Sequence, residues 1–327
     1  MARRMTSAVS PFALVEEDLR QLLQDLRTLV GARHPILALA AEHLFSAQGK
    51  GIRPMLVLLV GRATTPDGSL LPRHRRLAQI TEMIHTASLV HDDVIDTADK
   101  RRGVGTVNHD FGNRVAVLAG DFLFAQSSWY LANLDHLEVV KLLSQVIKDF
   151  AEGEIRQSLT AFDLSLTLES YLEKNFYKTA SLLAGSAKAA ALLSDASEEV
   201  AEAMYEFGRC FGIAFQIIDD LLDYTSSSET LGKPAGSDLS QGNLTAPVLY
   251  ALGEFPELAA LIERHLTEPG DLQTAVSLVR QSQGIPKSRQ LASSYVQKAL
   301  RALEILPSSP AKQALMTVAE QTVSRFY

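Results

Sequence analysis

The chain has 327 residues, is 46% hydrophobic and carries a formal net charge of -7. That length and apolar content can bury a sizeable core in one large domain or two ordinary ones, and the acidic balance argues against a broad nucleic-acid-binding surface. Small anionic substrates are not excluded, because a local basic cluster or bound cations override the global sign. A single cysteine, Cys210, leaves no disulfide framework and no cysteine-rich zinc site. Its expected role is that of a small buried hydrophobe.

The first residues, Met1-Ala2-Arg3-Arg4-Met5-Thr6-Ser7, have a positive tip without the apolar stretch of a secretory signal. No apolar run approaches the roughly 20 residues of a membrane helix, so a cytoplasmic protein is expected. Ser10-Pro11 reads as a helix N-cap followed by proline at the first helical position, and Ser309-Pro310 repeats the pattern near the far end. Gly49-Lys50-Gly51-Ile52-Arg53-Pro54 sets two cations three apart where an apolar helix begins, and a helix N-terminus favours negative charge. A break at Thr65-Pro66-Asp67-Gly68 precedes a long helical stretch with Ile84, Ala87, Leu89 and Val90. That stretch carries His85 and ends in His91-Asp92-Asp93-Val94-Ile95-Asp96.

Arg101-Arg102-Gly103 follows after a short turn. Leu143, Val146, Ile147, Phe150 and Ala151 recur at helical spacing, and Val296, Ala299, Leu300 and Leu303 do so later. Between them come Lys178-Thr179 and a second acidic run, Gln216-Ile217-Ile218-Asp219-Asp220-Leu221-Leu222-Asp223, on an apolar helix. Further breaks fall at Ser226-Ser227-Ser228, Gly232-Lys233-Pro234 and Glu268-Pro269-Gly270. No series of alternating strands, internal repeat or low-complexity linker stands out. The expected fold is one all-α domain over residues 1–327, with several helices buried on more than one side.

The chemistry lies in the acidic runs. Asp92 with Asp96, and Asp219 with Asp223, are four apart, so each pair shares one helix face and repels itself. A divalent cation removes that repulsion, and magnesium takes one or two carboxylates together with phosphate oxygens and water. One such run alone is more often a solvated helix face or a capped end. Two runs of identical spacing, each on an apolar helix, point instead to cations held around a diphosphate. The basic residues are weak signals singly: Lys50 with Arg53 could be a helix-start cluster, Arg101-Arg102 a surface pair, Lys178 and Lys233 isolated charges. A lone histidine such as His85 is more often a core residue than a ligand. Together they would supply cations for a second diphosphate that has no metal of its own.

In this order, these residues resemble the trans-isoprenyl diphosphate synthases over nearly the whole chain. Glu82-Met83-Ile84-His85-Thr86-Ala87-Ser88-Leu89-Val90 and Gly242-Asn243-Leu244-Thr245-Ala246-Pro247 look most like the long-chain branch, in particular the solanesyl diphosphate synthases of cyanobacteria and plastids. The resemblance implies a helical bundle around a central apolar cavity, usually homodimeric. It implies three magnesium ions, two on Asp92 and Asp96 and a third helped by Asp219 and Asp223, with manganese as a substitute. It places isopentenyl diphosphate on Lys50, Arg53, His85 and Arg102, and the allylic diphosphate (geranyl, farnesyl or geranylgeranyl) on Arg101, Lys178 and Lys233. Thr179 and Gln216 would present oxygens to the developing carbocation, and the small residues Ala87 and Ser88 would leave room for a long tail. Gln48, Gly51 and Asn243 depart from the pattern; Asn243 stands where many relatives have lysine. The rival readings are a synthase of shorter chains, a terpene cyclase or head-to-head condensing enzyme, and a non-catalytic subunit of a heteromeric synthase. The paired acidic runs and the separate basic set speak against the last two.

Overall fold

The computed structural model describes residues 11–29, 34–44, 51–101, 103–225 and 235–324. The first helices are α1 (Glu16–Leu29), α2 (Pro35–Leu44), α3 (Ile52–Thr64) and α4 (Pro72–Ile95). They are followed by α5 (Val107–Phe111), α6 (Asn113–Ala132), α7 (Leu137–Leu159), α8 (Leu168–Asn175), α9 (Ser181–Leu192) and α10 (Glu198–Thr225). The last third holds α11 (Ser237–Ser240), α12 (Ala246–Leu252), α13 (Pro256–Glu263), α14 (Asp271–Gln281), α15 (Gly284–Ala302) and α16 (Pro310–Ser324).

The expected all-α architecture is present, and the core explains it. In α3 every residue from Pro54 to Gly61 is buried, and in α9 every residue from Ser181 to Ala187. A helix apolar all round belongs inside a bundle rather than on its surface. α10 packs chiefly on α9 and α15, and α4 on α6 and α3. A smaller apolar cluster, including Tyr224, Leu239, Val248, Leu258 and Val279, lies under α11–α14. Among the described residues no helix is long and apolar enough to cross a membrane.

Local signals read as expected where they are described. α3 ends at Thr64, before the Pro66–Gly68 turn, and the hydroxyl of Ser309 accepts from the Lys312 backbone N–H at 3.1 Å to cap α16. Ser10 and the breaks at 226–228 and 232–234 lie outside the described residues. Cys210 is buried, its thiol donating to Glu206, and burial with the Glu206 carboxylate pushes it up to about 12, so it is inert. No strand series is present among the described residues, and the one β-pairing is minimal. Lys100–Arg101 pairs antiparallel with Val104–Gly105, turning at Gly103 with φ 80°. Two-residue strands are too short to show any alternation.

Two details of this bundle position the site. Gly208 and Gly212 lie against the α9 segment so closely that a Cβ on Gly212 would sit 2.6 Å from Ala180 Cα, and one on Gly208 would sit 2.4 Å from the Leu183 carbonyl oxygen. The two backbones therefore touch, which only glycine permits. Between α8 and α9 the chain makes a π-turn, Phe176–Ala180. Such a turn inserts an extra residue and re-aims side chains, often at functional sites; this one carries Lys178 and Thr179.

Candidate active site

Each acidic run closes the C-terminal end of its helix. Asp92 and Asp93 lie in the last turn of α4 and Asp96 is its C-cap residue, while Asp223 lies in the last turn of α10 with Asp219 and Asp220 one turn earlier; neither last turn holds a basic residue. A helix C-terminus is the negative end of the backbone dipole. Both clusters are thus placed against their own helix field as well as against each other.

The two helix ends meet at one polar pocket. Asp96, Gln157 and Lys178 line it from one side, and Gln216, Asp220 and Asp238 from the other. Lys178 pairs with Glu154 of α7 at 2.6 Å and donates to Gln157 Oε1 at 3.2 Å. Burial pulls its ammonium down, but Glu154, Asp92 and Asp96 together hold it above its ordinary value. Burial pushes the Asp92 carboxyl up to about 7, with Glu154 and Asp96 adding to the rise and Lys178 and Arg101 opposing it. Asp96, at the more exposed rim, is raised by burial, with Glu154 and Asp93 adding and Lys178 and Arg101 opposing.

On the facing side a hydrogen-bond chain fixes the polar groups. The Thr179 hydroxyl donates to Gln216 Oε1 at 2.7 Å, and Gln216 Nε2 donates to Asp220 Oδ1 at 2.8 Å. The Tyr171 hydroxyl donates to Asp220 Oδ2 at 2.5 Å. Burial and the nearby Asp238 raise the Asp220 carboxyl, while Tyr171 and Gln216 pull it back. The expected pair Thr179 and Gln216 is therefore in direct contact, as the glycine contact between α10 and α9 allows.

The other expected residues divide. Arg53 Nη1 lies 3.0 Å from His85 Nε2, bringing together two residues expected at the isopentenyl subsite. Guanidinium only donates, so the ring nitrogen accepts. Arg101 turns onto the buried Asp93, with Nε at 2.8 Å and Nη2 at 2.7 Å from the same oxygen. Asp223 is buried and its Oδ2 accepts the Asp238 backbone N–H at 3.1 Å, whereas Asp219 is exposed. On α4, Ala87 is fully buried in the main core and Ser88 is half-buried, donating to the His85 carbonyl at 2.8 Å. Lys50, Arg102 and Lys233 lie outside the described residues.

Sequence reasoning passed over Glu154, Gln157, Asp220 and Asp238. Glu154-x-x-Gln157 and Gln216-x-x-x-Asp220 are helix-face spacings that could have signalled three of them. Asp238 carries no such signal; only the fold brings it beside Asp220.

The donor set suits a hard divalent cation, which takes oxygen ligands. Among the described residues no three acidic or histidine side chains converge to hold an ion by themselves. Phosphate oxygens would have to complete the coordination, as magnesium prefers.

Comparison with known proteins identifies the family. A family profile, Polyprenyl synthetase, matches residues 34–279. A prenyl transferase of Synechocystis sp. is 60% identical over 323 residues, covering 99% of this chain and 100% of that protein. Solanesyl-diphosphate synthase 2, chloroplastic, of Oryza sativa subsp. japonica is 52% identical over 322 residues, covering 98% of this chain and 80% of that one. Among solved structures, a polyprenyl synthase from Caulobacter crescentus, complexed with calcium and isoprenyl diphosphate, matches with a TM-score of 0.91 at 33% identity, covering 100% of both chains. The likeness spans 99% of this chain, and on it the chain belongs to the polyprenyl synthetase family and is a prenyltransferase.

Proposed function

We propose that the chain is a long-chain all-trans-polyprenyl diphosphate synthase of solanesyl length, which extends an allylic diphosphate with isopentenyl diphosphate and so supplies the side chain of plastoquinone. The observation that carries this reading is the single pocket at which the α4 and α10 acidic ends meet Lys178 and the Thr179–Gln216 pair. The names of the cyanobacterial and chloroplastic relatives support the long product and a cytoplasmic or plastid setting.

In the proposed reaction the allylic C1–O bond breaks and its electron pair leaves on the diphosphate. The isopentenyl double bond attacks C1, and the proton then lost is taken by the released diphosphate. Magnesium on Asp92, Asp96, Asp219 and Asp223, three ions with manganese able to substitute, would neutralise the departing diphosphate. Lys178, with Arg101 and Lys233, holds the allylic diphosphate. Arg53, oriented by His85, holds isopentenyl diphosphate with Lys50 and Arg102. The Thr179 hydroxyl gives its hydrogen to Gln216, which leaves its oxygen lone pairs to face an electron-poor carbon. Asp220 fixes the Gln216 amide by accepting from its nitrogen. One domain spans the chain in this reading. Two copies associate through the outer face of α6, and membrane contact is confined to product release.

Ser88 lies one turn before Asp92 on α4, so a tail anchored at the metal end would pass it. Wild-type protein, supplied with isopentenyl diphosphate and farnesyl or geranylgeranyl diphosphate, is expected to give a nine-unit product on chromatography of the dephosphorylated lipid, and none in excess chelator. Ser88→Phe should shorten the product to a few units while sparing the first condensation. Ala87→Phe needs a parallel melting curve, because overpacking a buried site costs ~1–3 kcal/mol. A wild-type product of only three or four units, or activity only with a second protein, would replace this reading by one of its rivals.

A further inference from the structure

The pocket contains a cation that nothing yet described employs. Lys174, the penultimate residue of α8, is 7% exposed and lines the pocket beside Asp220, Asp238 and Lys178. Among the described residues it makes no hydrogen bond and no ion pair; its Nζ lies 6.0 Å from the centroid of the Tyr171 ring. A buried ammonium without a direct partner is costly. Its neighbour Asn175, 5% exposed, also lines the pocket, and its Nδ2 is buried without an acceptor. The Asn175 dipole acts on the Tyr171 phenol, but no full hydrogen bond forms.

Lys178 differs. It sits four residues on, across the π-turn, and is already paired with Glu154. Lys174 and Lys178 therefore point two like charges into one pocket, and only one of them is neutralised. Burial lowers the Lys174 ammonium and Lys178 lowers it further, while Asp220 and Asp238 pull it back without reaching it. A small, multiply charged oxyanion satisfies this arrangement: it accepts from the ammonium and from the Asn175 amide, and it relieves the repulsion between the lysines.

We propose that Lys174, assisted by Asn175, is a substrate-binding cation for the allylic diphosphate, gripping it from the α10 side of the pocket while Lys178 grips it from the α4 side. This rests on the pocket being the seat of a prenyl diphosphate. Isopentenyl diphosphate, expected near Arg53 and His85, makes no use of it.

The test compares wild type, Lys174→Met, Lys174→Arg and Lys178→Met with magnesium present. The readouts are steady-state KM for each substrate, binding of inorganic diphosphate by calorimetry, and the melting temperature of ligand-free protein. Lys174→Met should raise the allylic KM and weaken inorganic diphosphate binding roughly tenfold or more, the scale of one lost hydrogen bond to a charged group. KM for isopentenyl diphosphate should stay near wild type, and Lys174→Arg should recover most of the loss. Without ligand, Lys174→Met should melt no lower than wild type, because it removes an uncompensated buried charge; a purely structural lysine would melt lower. Unchanged allylic KM and diphosphate binding in Lys174→Met, with Lys178→Met impaired, would overturn the role of Lys174 alone. If wild type fails to bind inorganic diphosphate and Lys178→Met is also unimpaired, the reading of the pocket falls with it.

Discussion

Asp92 shows how a single residue links stability to metal. Its carboxyl rises from 3.8 to about 7, chiefly through burial. Between about pH 4 and pH 7 the metal-free fold then holds a proton that the unfolded chain has released. Stability from this group is full at the acid end of that window and is lost as pH rises through it. Metal-free wild type should therefore lose melting temperature from pH 5 to pH 8 more steeply than Asp92→Asn, which has no proton to release there. Magnesium should restore the wild type above pH 7 and leave Asp92→Asn nearly unmoved. Parallel melting curves for the two proteins, with and without magnesium, would remove Asp92 from the metal site. The i,i+4 spacing made Asp92 and Asp96 legible in sequence. The same rule selected Asp219 and Asp223 and passed over Asp220, since spacing says which side chains share a face but not which face turns inward. Asp223 and Asp220 are both buried, at 1% and 4% exposed, and Asp220 is wired to Tyr171 and Gln216.

Among the elements, the contact of α10 with α9 bears most on the chemistry. The helices themselves were readable, because their apolar stripes repeat at helical spacing and their breaks fall at proline and glycine. The π-turn at Phe176–Ala180 was not, since nothing in the order Phe-Tyr-Lys-Thr-Ala distinguishes it from an ordinary helical turn. Gly212 holds that turn close to Gln216. Gly212→Ala would place a Cβ 2.6 Å from Ala180 Cα, a backbone atom that cannot swing aside. It should cost ~1–3 kcal/mol by overpacking and lower kcat by separating Thr179 from Gln216. Gly208→Ala, one turn further from Gln216, should destabilise comparably and affect kcat less. Thermal melts and turnover of both variants check this; equal loss of kcat in the two would mean that the spacing at Thr179 is not what matters.

At the scale of the whole molecule, the exposed apolar residues call for cover. Val117 is 41%, Leu118 51% and Trp129 60% exposed along the outer side of α6. Leu118 and Trp129 share one face of the helix, and large apolar side chains exposed on one face mark an association surface more than scattered ones do. If two copies meet there, Leu118→Glu places a charge in the interface and should shift sedimentation from dimer toward monomer at micromolar protein, without lowering the melting temperature of the monomer fold. An unchanged sedimentation coefficient would move the contact to another face. This surface was not legible in sequence, because α6 is apolar on its inner side too, and only packing shows which of its apolar residues are left uncovered.

The all-α class, the end of α3 at Thr64, the Ser309 cap and the helical seats of the two acidic runs were legible in local spacing, because each depends on neighbours within a turn or two of chain. Only packing between distant segments brings Asp96 of α4 and Asp220 of α10 to one pocket with Asp238, rests Arg101 on Asp93, and buries Lys174 there without a direct ion pair. Those facts rest on contacts between segments distant along the chain. They are set by how closely backbones pack at Gly208 and Gly212, and by the cost of leaving charge buried, and neither quantity is written in local spacing.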